Sequence, residues 1–80
     1  MKITVKLFAI GRDLVGKNEV ELTLPDDAVI QQALDQLYAD YPKFSKLTTF
    51  MIAINMEYAD KNTRLNDGDE LAIIPPVSGG

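Results

Sequence analysis

The residues best suited to chemistry in this 80-residue chain are its last six, Pro75-Pro76-Val77-Ser78-Gly79-Gly80. Two prolines fix φ and favour extended polyproline geometry, so the chain leaves the preceding segment as a stiff stalk. Gly79 and Gly80 carry no side chain, so a narrow channel admits them with a free carboxylate leading. That combination suits a carboxyl terminus offered to another protein's active site. Taken alone, a Gly-Gly end reads more simply as idle fraying, since so short a motif arises by chance. The context favours chemistry, because the proline stalk directly follows an apolar run, Leu71-Ala72-Ile73-Ile74.

The rest of the chain offers little catalytic equipment. It contains no Cys and no His. A thiol nucleophile, a thiolate metal site, a disulfide and the commonest general base are therefore excluded together. An enzyme of this size would have to rely on carboxylates, lysines or hydroxyls, so the chain is not expected to catalyse alone or to hold a metal or cofactor. Twelve acidic against eight basic residues give a net charge of -4, which argues against nucleic acid and anionic membranes as partners. No apolar run approaches the roughly 20 residues that span a bilayer. Lys2 and Lys6 interrupt the segment where a signal-peptide core would lie, and the expected compartment is the cytoplasm. With 46% hydrophobic and 25% charged residues, the composition is that of an ordinary globular domain. The expected division is one domain over 1–74 and an extended tail over 75–80.

The elements that must position the tail follow from periodicity. Lys2–Phe8 alternates Ile3, Val5 and Leu7 against Lys2, Thr4 and Lys6, a half-buried strand. Phe8 puts an aromatic on the polar side, as either a core residue at the strand end or a partner contact. Ala9–Gly16 reads as a short helical turn or loop burying Leu14 and Ile10, with Arg12 a solvated charge, and Gly16-Lys17-Asn18 as a turn. Glu19–Leu24 is a second strand, and its Glu19 and Glu21 can sit across an antiparallel ladder from Lys2 and Lys6. Pro25-Asp26-Asp27 opens a helix with an aspartate available as N-cap. Ile30, Ala33, Leu34, Leu37, Tyr38 and Tyr41 form one apolar helical stripe, a core face that Pro42 ends. Lys43–Thr49 is a polar connection tucking Phe44 and Leu47 under the sheet. Phe50–Asn55 is a third strand, and Asn55-Met56-Glu57-Tyr58 turns into a short edge segment. Asp67-Gly68 marks the last tight turn before the strand Glu70–Ile74.

That final strand is apolar at four successive positions, which implies cover on both faces. One helix covers one face, so Ala72 and Ile74 are expected on a face that a partner covers. Strand, strand, helix, strand, short strand, strand is economically satisfied by one helix packed across a mixed sheet. The expected fold is α+β: a ubiquitin-like β-grasp of about five strands with its first and last strands parallel at the centre. Phe8 and Arg12 would then stand near the base of the Pro75-Pro76 stalk.

Several motifs together carry a family resemblance. Leu7-Phe8-Ala9, Arg12-Asp13-Leu14, Ala53-Ile54-Asn55, Asp67-Gly68-Asp69-Glu70-Leu71-Ala72 and Pro75–Gly80 resemble the small, sulfur-carrier subunit of molybdopterin synthase, the MoaD family. The resemblance runs over essentially the whole chain. It implies that an adenylating enzyme of the ubiquitin-activating type uses ATP and Mg to convert the Gly80 carboxylate to an acyl-adenylate. A persulfide donor then supplies the sulfur of a thiocarboxylate. A large synthase subunit would take up Val77, Ser78, Gly79 and Gly80 and sulfurate cyclic pyranopterin monophosphate within a heterotetramer. It further implies that Phe8, Tyr58 and Ile74 form a docking patch and that Arg12 contacts the activating enzyme.

Two departures stand out. Met56 sits where relatives often have a smaller or polar residue, and Tyr58 is aromatic where the family patch is often aliphatic. Three other readings remain open at this point. They are a sulfur carrier for thiamin, cysteine or transfer-RNA thiolation, a ubiquitin-like modifier joined to lysines through Gly80, and a non-covalent interaction domain with an idle tail.

Overall fold

The structure, a computed structural model, describes residues 1–76. In chain order the elements are β1 (Lys2–Leu7), α1 (Ala9–Val15), β2 (Glu19–Thr23), α2 (Ile30–Asp40), a 3-10 turn (Pro42–Lys46), β3 (Met51–Ile54), β4 (Glu57–Tyr58) and β5 (Glu70–Ile74). The strands lie in the order β2-β1-β5-β3-β4. β1 and β5 run parallel at the centre, with Leu7 opposite Ile73, while the remaining pairs are antiparallel. This is the β-grasp arrangement expected from the alternation of elements.

Register sorts the side chains into two faces. Ile3, Val5 and Leu7 of β1 meet Val20 and Leu22 of β2 and Leu71 and Ile73 of β5 on the inner face, all buried. Against this face α2 lays Ile30, Ala33, Leu34 and Leu37, the i, i+3, i+4, i+7 stripe of an amphipathic helix. Phe44, from the 3-10 turn, closes the layer. It is fully buried, with its ring centroid 5.2 Å from Tyr38 and 5.7 Å from Phe50. Phe44 and Leu47 thus lie under the sheet as expected.

Some local readings are corrected. Neither Asp26 nor Asp27 caps α2, which begins at Ile30 after Val29. The Ile30 and Gln31 amides donate instead to the carbonyls of Thr63 and Lys61 at 3.0 and 2.9 Å. The Val29 amide donates to Gln32 Oε1 at 3.0 Å. Tertiary carbonyls and a glutamine therefore take the place of an acidic cap, and Asp26 accepts from the N-terminal amine at 3.3 Å. Residues 9–15 form a second, short helix that turns Gly11 and Val15 inward and leaves Ile10 exposed. A Cβ added at position 11 would sit in ordinary contact with Leu7 and Leu47, at 3.8 and 3.7 Å, so this face of α1 lies close against them. Lys6 faces Glu19 across the ladder, but its Nζ pairs with Glu70 at 3.6 Å. Lys2 reaches Glu21 diagonally at 3.7 Å.

Two turns hold the central strand in place. The Lys2 amide donates to Asp67 Oδ1 at 2.8 Å, and the Gly68 amide donates to the Lys2 carbonyl at 2.7 Å. Gly68 adopts φ +85° to do so, a conformation glycine reaches without steric cost. The two-residue link between β3 and β4 places Asn55 at φ +49° and Met56 at φ +73°. Positive φ at both central positions is type I′ geometry, which matches strand twist and favours Asn followed by Gly. Asn55 fits that rule and Met56 does not.

Phe44→Ala should lower unfolding free energy by about 3–5 kcal/mol in urea titrations. A loss below about 1 kcal/mol would mean the 3-10 turn does not close the core. Met56→Gly should raise stability by about 0.5–1 kcal/mol by relieving left-handed strain, and a decrease would refute the turn geometry.

Candidate functional site

Elements on the outer face, opposite α2, bring the candidate residues together. Outward positions alternate with the buried ones, so Lys6 stands beside Ala72, Ala72 beside Ala53, and Ala53 beside Tyr58 across four strands. The next row carries Ile74 opposite Met51, with Phe8 just past the last β1–β5 pair. Phe8, Ala53, Met56, Tyr58, Ala72 and Ile74 line one open groove, flanked by Lys6 and Glu70. Met56 is 93% exposed, Tyr58 72% and Phe8 47%. Large apolar side chains gathered at such exposure mark an interaction surface more often than accident.

The polar pair beside the groove is half-exposed, and such pairs add about 0–1 kcal/mol to stability. Their main effect is to leave the groove electrically balanced. Behind the groove the β3–β4 turn is tied down. The Asn55 amide donates to the Glu70 carbonyl at 2.9 Å, and Asn55 Oδ1 accepts from the Glu70 amide at 3.0 Å. Asn55 Nδ2 donates to Asp69 Oδ1 at 3.0 Å, and Asp69 Oδ2 accepts from the Asn66 amide at 2.8 Å. Asp69 is itself buried, so this network fixes the turn against β5. At the opposite rim Ala9 adopts φ +49° immediately after Phe8. Strained backbone therefore borders the groove on both sides, a pattern that concentrates at functional sites.

The structure gathers Phe8, Tyr58 and Ile74 as the sequence suggested, with Pro75 half-buried and Pro76 exposed directly beyond Ile74. Arg12 is not brought into the groove. It lies on α1, its backbone amide 3.4 Å from the Phe8 carbonyl and its side chain paired with Asp13 at 3.8 Å. Val77, Ser78, Gly79 and Gly80 lie outside the described residues. Met51, Ala53 and Met56 join the face without having been singled out as site residues. In β3 apolar side chains occupy both phases of the alternation, so sequence alone could not say which phase faced outward. Besides its apolar residues the groove carries only the Lys6–Glu70 pair and the Tyr58 hydroxyl, and no group of three or more His, Cys, Asp or Glu that could hold a metal ion occurs among the described residues. No helix among the described residues is long and apolar enough to cross a membrane.

Comparison with known proteins agrees with this geometry. The ThiS family matches residues 5–80. A molybdopterin synthase sulfur carrier subunit from Chlamydomonas reinhardtii is 44% identical over 84 aligned positions, covering 100% of both chains. Among solved structures, SAMP1 from Haloferax volcanii, a small archaeal modifier protein, superposes with a TM-score of 0.93 at 31% identity and 100% coverage of both chains. Subunit 1 or 2 in a complex of the two subunits of molybdopterin-converting factor from Helicobacter pylori matches with a TM-score of 0.72 at 26% identity, again over 100% of both chains. Sequence match and fold thus agree, and the chain belongs to the ThiS family, alongside the sulfur carrier subunits of molybdopterin synthase.

Proposed function

We propose that this chain is the sulfur-carrier subunit of molybdopterin synthase and that the Gly80 carboxyl group is its reactive centre. The observation that carries the reading is the path of β5. Its last residue, Ile74, lines the unpartnered apolar groove, and the chain runs from there into Pro75-Pro76 and the Gly-Gly end. A partner held on the groove therefore meets the carboxyl end. Full-length relatives named as sulfur carrier subunits support the same assignment.

A carboxylate is a poor electrophile, because its negative charge opposes a nucleophile and oxide is a poor leaving group. An adenylating partner of the ubiquitin-activating type, using ATP and Mg, joins the Gly80 carboxylate to AMP with loss of pyrophosphate. The persulfide donor's terminal sulfur then attacks the carbonyl and AMP departs, leaving an acyl disulfide whose S–S bond a second thiol on the donor side cleaves, so that the donor ends as a disulfide. The product is a thiocarboxylate, which the large subunit draws in to sulfurate cyclic pyranopterin monophosphate in molybdenum cofactor biosynthesis. This chain contributes no acid or base to those steps. Its groove residues Phe8, Tyr58 and Ile74 bind the partners, and Arg12 contacts the activating enzyme from the neighbouring helix. Pro75 and Pro76 stiffen the exit from β5, and the absence of side chains at Gly79 and Gly80 suits the end to a narrow channel. We place these steps in the cytoplasm, with two small and two large subunits in the assembly.

The likeness to SAMP1 favours a second reading, a protein modifier joined to lysines through the same Gly80 carbonyl. Both readings share activation and diverge at the acceptor, sulfur in one and an amine in the other.

Intact-mass measurement on the chain co-expressed with its activating enzyme and sulfur donor should reveal the gain of one sulfur for one oxygen, localised to Gly80. Reductant-resistant conjugates with no such species would favour the modifier reading. An unmodified Gly80 carboxylate and no conjugates would contradict both.

A further inference from the structure

We propose that Met56 is an oxidation-sensitive docking contact: its thioether sits on the rim of the groove, and a hydroperoxide converts it to a sulfoxide that weakens partner binding. The inference rests on the carrier reading above and adds to it a modification site and a means of control.

Four observations lead there. First, Met56 occupies a position that suits glycine, with φ +73° in a two-residue hairpin turn. A left-handed conformation costs a non-glycine residue about 1–2 kcal/mol. The Asn55 and Asp69 hydrogen bonds pin the turn in place, so Met56 cannot escape that conformation by shifting register. Second, the side chain returns almost nothing to the fold, since Met56 is 93% exposed. An unfavourable backbone carrying an exposed apolar side chain is accounted for when that side chain binds something.

Third, the occupant is constrained by the length of the tail. Residues 75–80 reach at most about 20 Å past Ile74. The protein that encloses the Gly80 carbonyl must therefore press close to Ile74, which lines the same groove as Met56. The occupant is that acceptor, the large synthase subunit. Fourth, a carrier must bind its activating and accepting partners in turn through one small surface. An unbranched thioether repacks against different shapes more readily than a rigid side chain.

The chemistry follows from composition. With no cysteine in the chain, thioethers are the side chains most open to peroxide. Of the exposed methionines, Met51 at 52% is less open than Met56. The sulfur lone pair attacks the peroxide, the O–O bond breaks, one oxygen atom stays on sulfur and the other leaves as water or an alcohol. Sulfur is oxidised by two electrons and the peroxide is reduced by two. The sulfoxide is polar and disrupts apolar contacts.

The test uses the full chain with an ordinary Gly80 carboxylate, so that no thiocarboxylate competes for oxidant. In a Met51→Leu chain, hydrogen peroxide should add one oxygen at Met56, read by peptide mapping. Titration calorimetry against purified large subunit should then register about tenfold weaker binding than before treatment. A Met51→Leu/Met56→Leu chain should keep its own affinity through the same treatment. Met56 sulfoxide with unchanged affinity would overturn the proposal, as would an equal loss in the doubly substituted chain. If the untreated chain fails to bind the large subunit at all, the carrier reading falls first and the Met56 assignment falls with it.

Discussion

Parallel pairing of the first and last strands is the constraint on which the rest of this small protein depends. Such strands cannot be joined by a hairpin and need a long crossover. Here everything between Leu7 and Glu70 forms that connection, and it supplies α2, the 3-10 turn and the two edge strands. The pairing places Leu71 and Ile73 in the core beside Val5 and Leu7. The alternate residues Ala72 and Ile74 must then face outward, because successive side chains in a strand point to opposite faces. A covered inner face and an apolar outer face are thus two consequences of one register. Slipping that register by one residue would exchange them.

From this follows the division of labour between body and tail. The body carries no histidine and no cysteine, and what its outer face presents is a groove lined mainly by apolar side chains. Its most buried polar group, Asp69, is spent on holding the β3–β4 turn against β5. The same network keeps the groove's far rim, with Met56 and Tyr58, facing Phe8 and Ile74. A rigid patch beside a glycine-ended stalk is a sound design for a carrier. In the proposed carrier role the patch supplies binding strength, and two residues without side chains let the terminus enter a channel.

Much of this was legible in the sequence because it rests on periodicity. The alternation of Ile3, Val5 and Leu7, the stripe from Ile30 to Leu37 and the turn at Asp67-Gly68 each follow from local chemistry. The double-sided apolarity of Leu71–Ile74 foretold the exposed face. What the sequence concealed was tertiary. The start of α2 is satisfied by the carbonyls of Thr63 and Lys61, which lie distant in the chain, so the acidic pair Asp26-Asp27 was a misleading cap signal. Gly11, and not Ile10, turns inward toward Leu7 and Leu47, which lie outside the local pattern of α1. Arg12 shares a helix with the groove's edge, yet its side chain pairs with Asp13 away from the groove. The outward phase of β3 was ambiguous, since Met51-Ile52-Ala53-Ile54 is apolar in both phases. Met56 announced itself only as an odd residue in a turn, and its meaning emerged once its backbone angle and its neighbours were known.

The central claim is that the domain exists to present one terminal carbonyl for sulfur transfer. Its most direct measurement is dithiolene formation from the pyranopterin precursor in a reconstituted system of activating enzyme, sulfur donor, large subunit and this chain. Two forms should be compared, one intact and one ending at Gly79. The intact chain should support product formation, while the shortened chain should remain folded and bound to the large subunit yet yield none. Product from the shortened chain at a comparable rate would contradict the account.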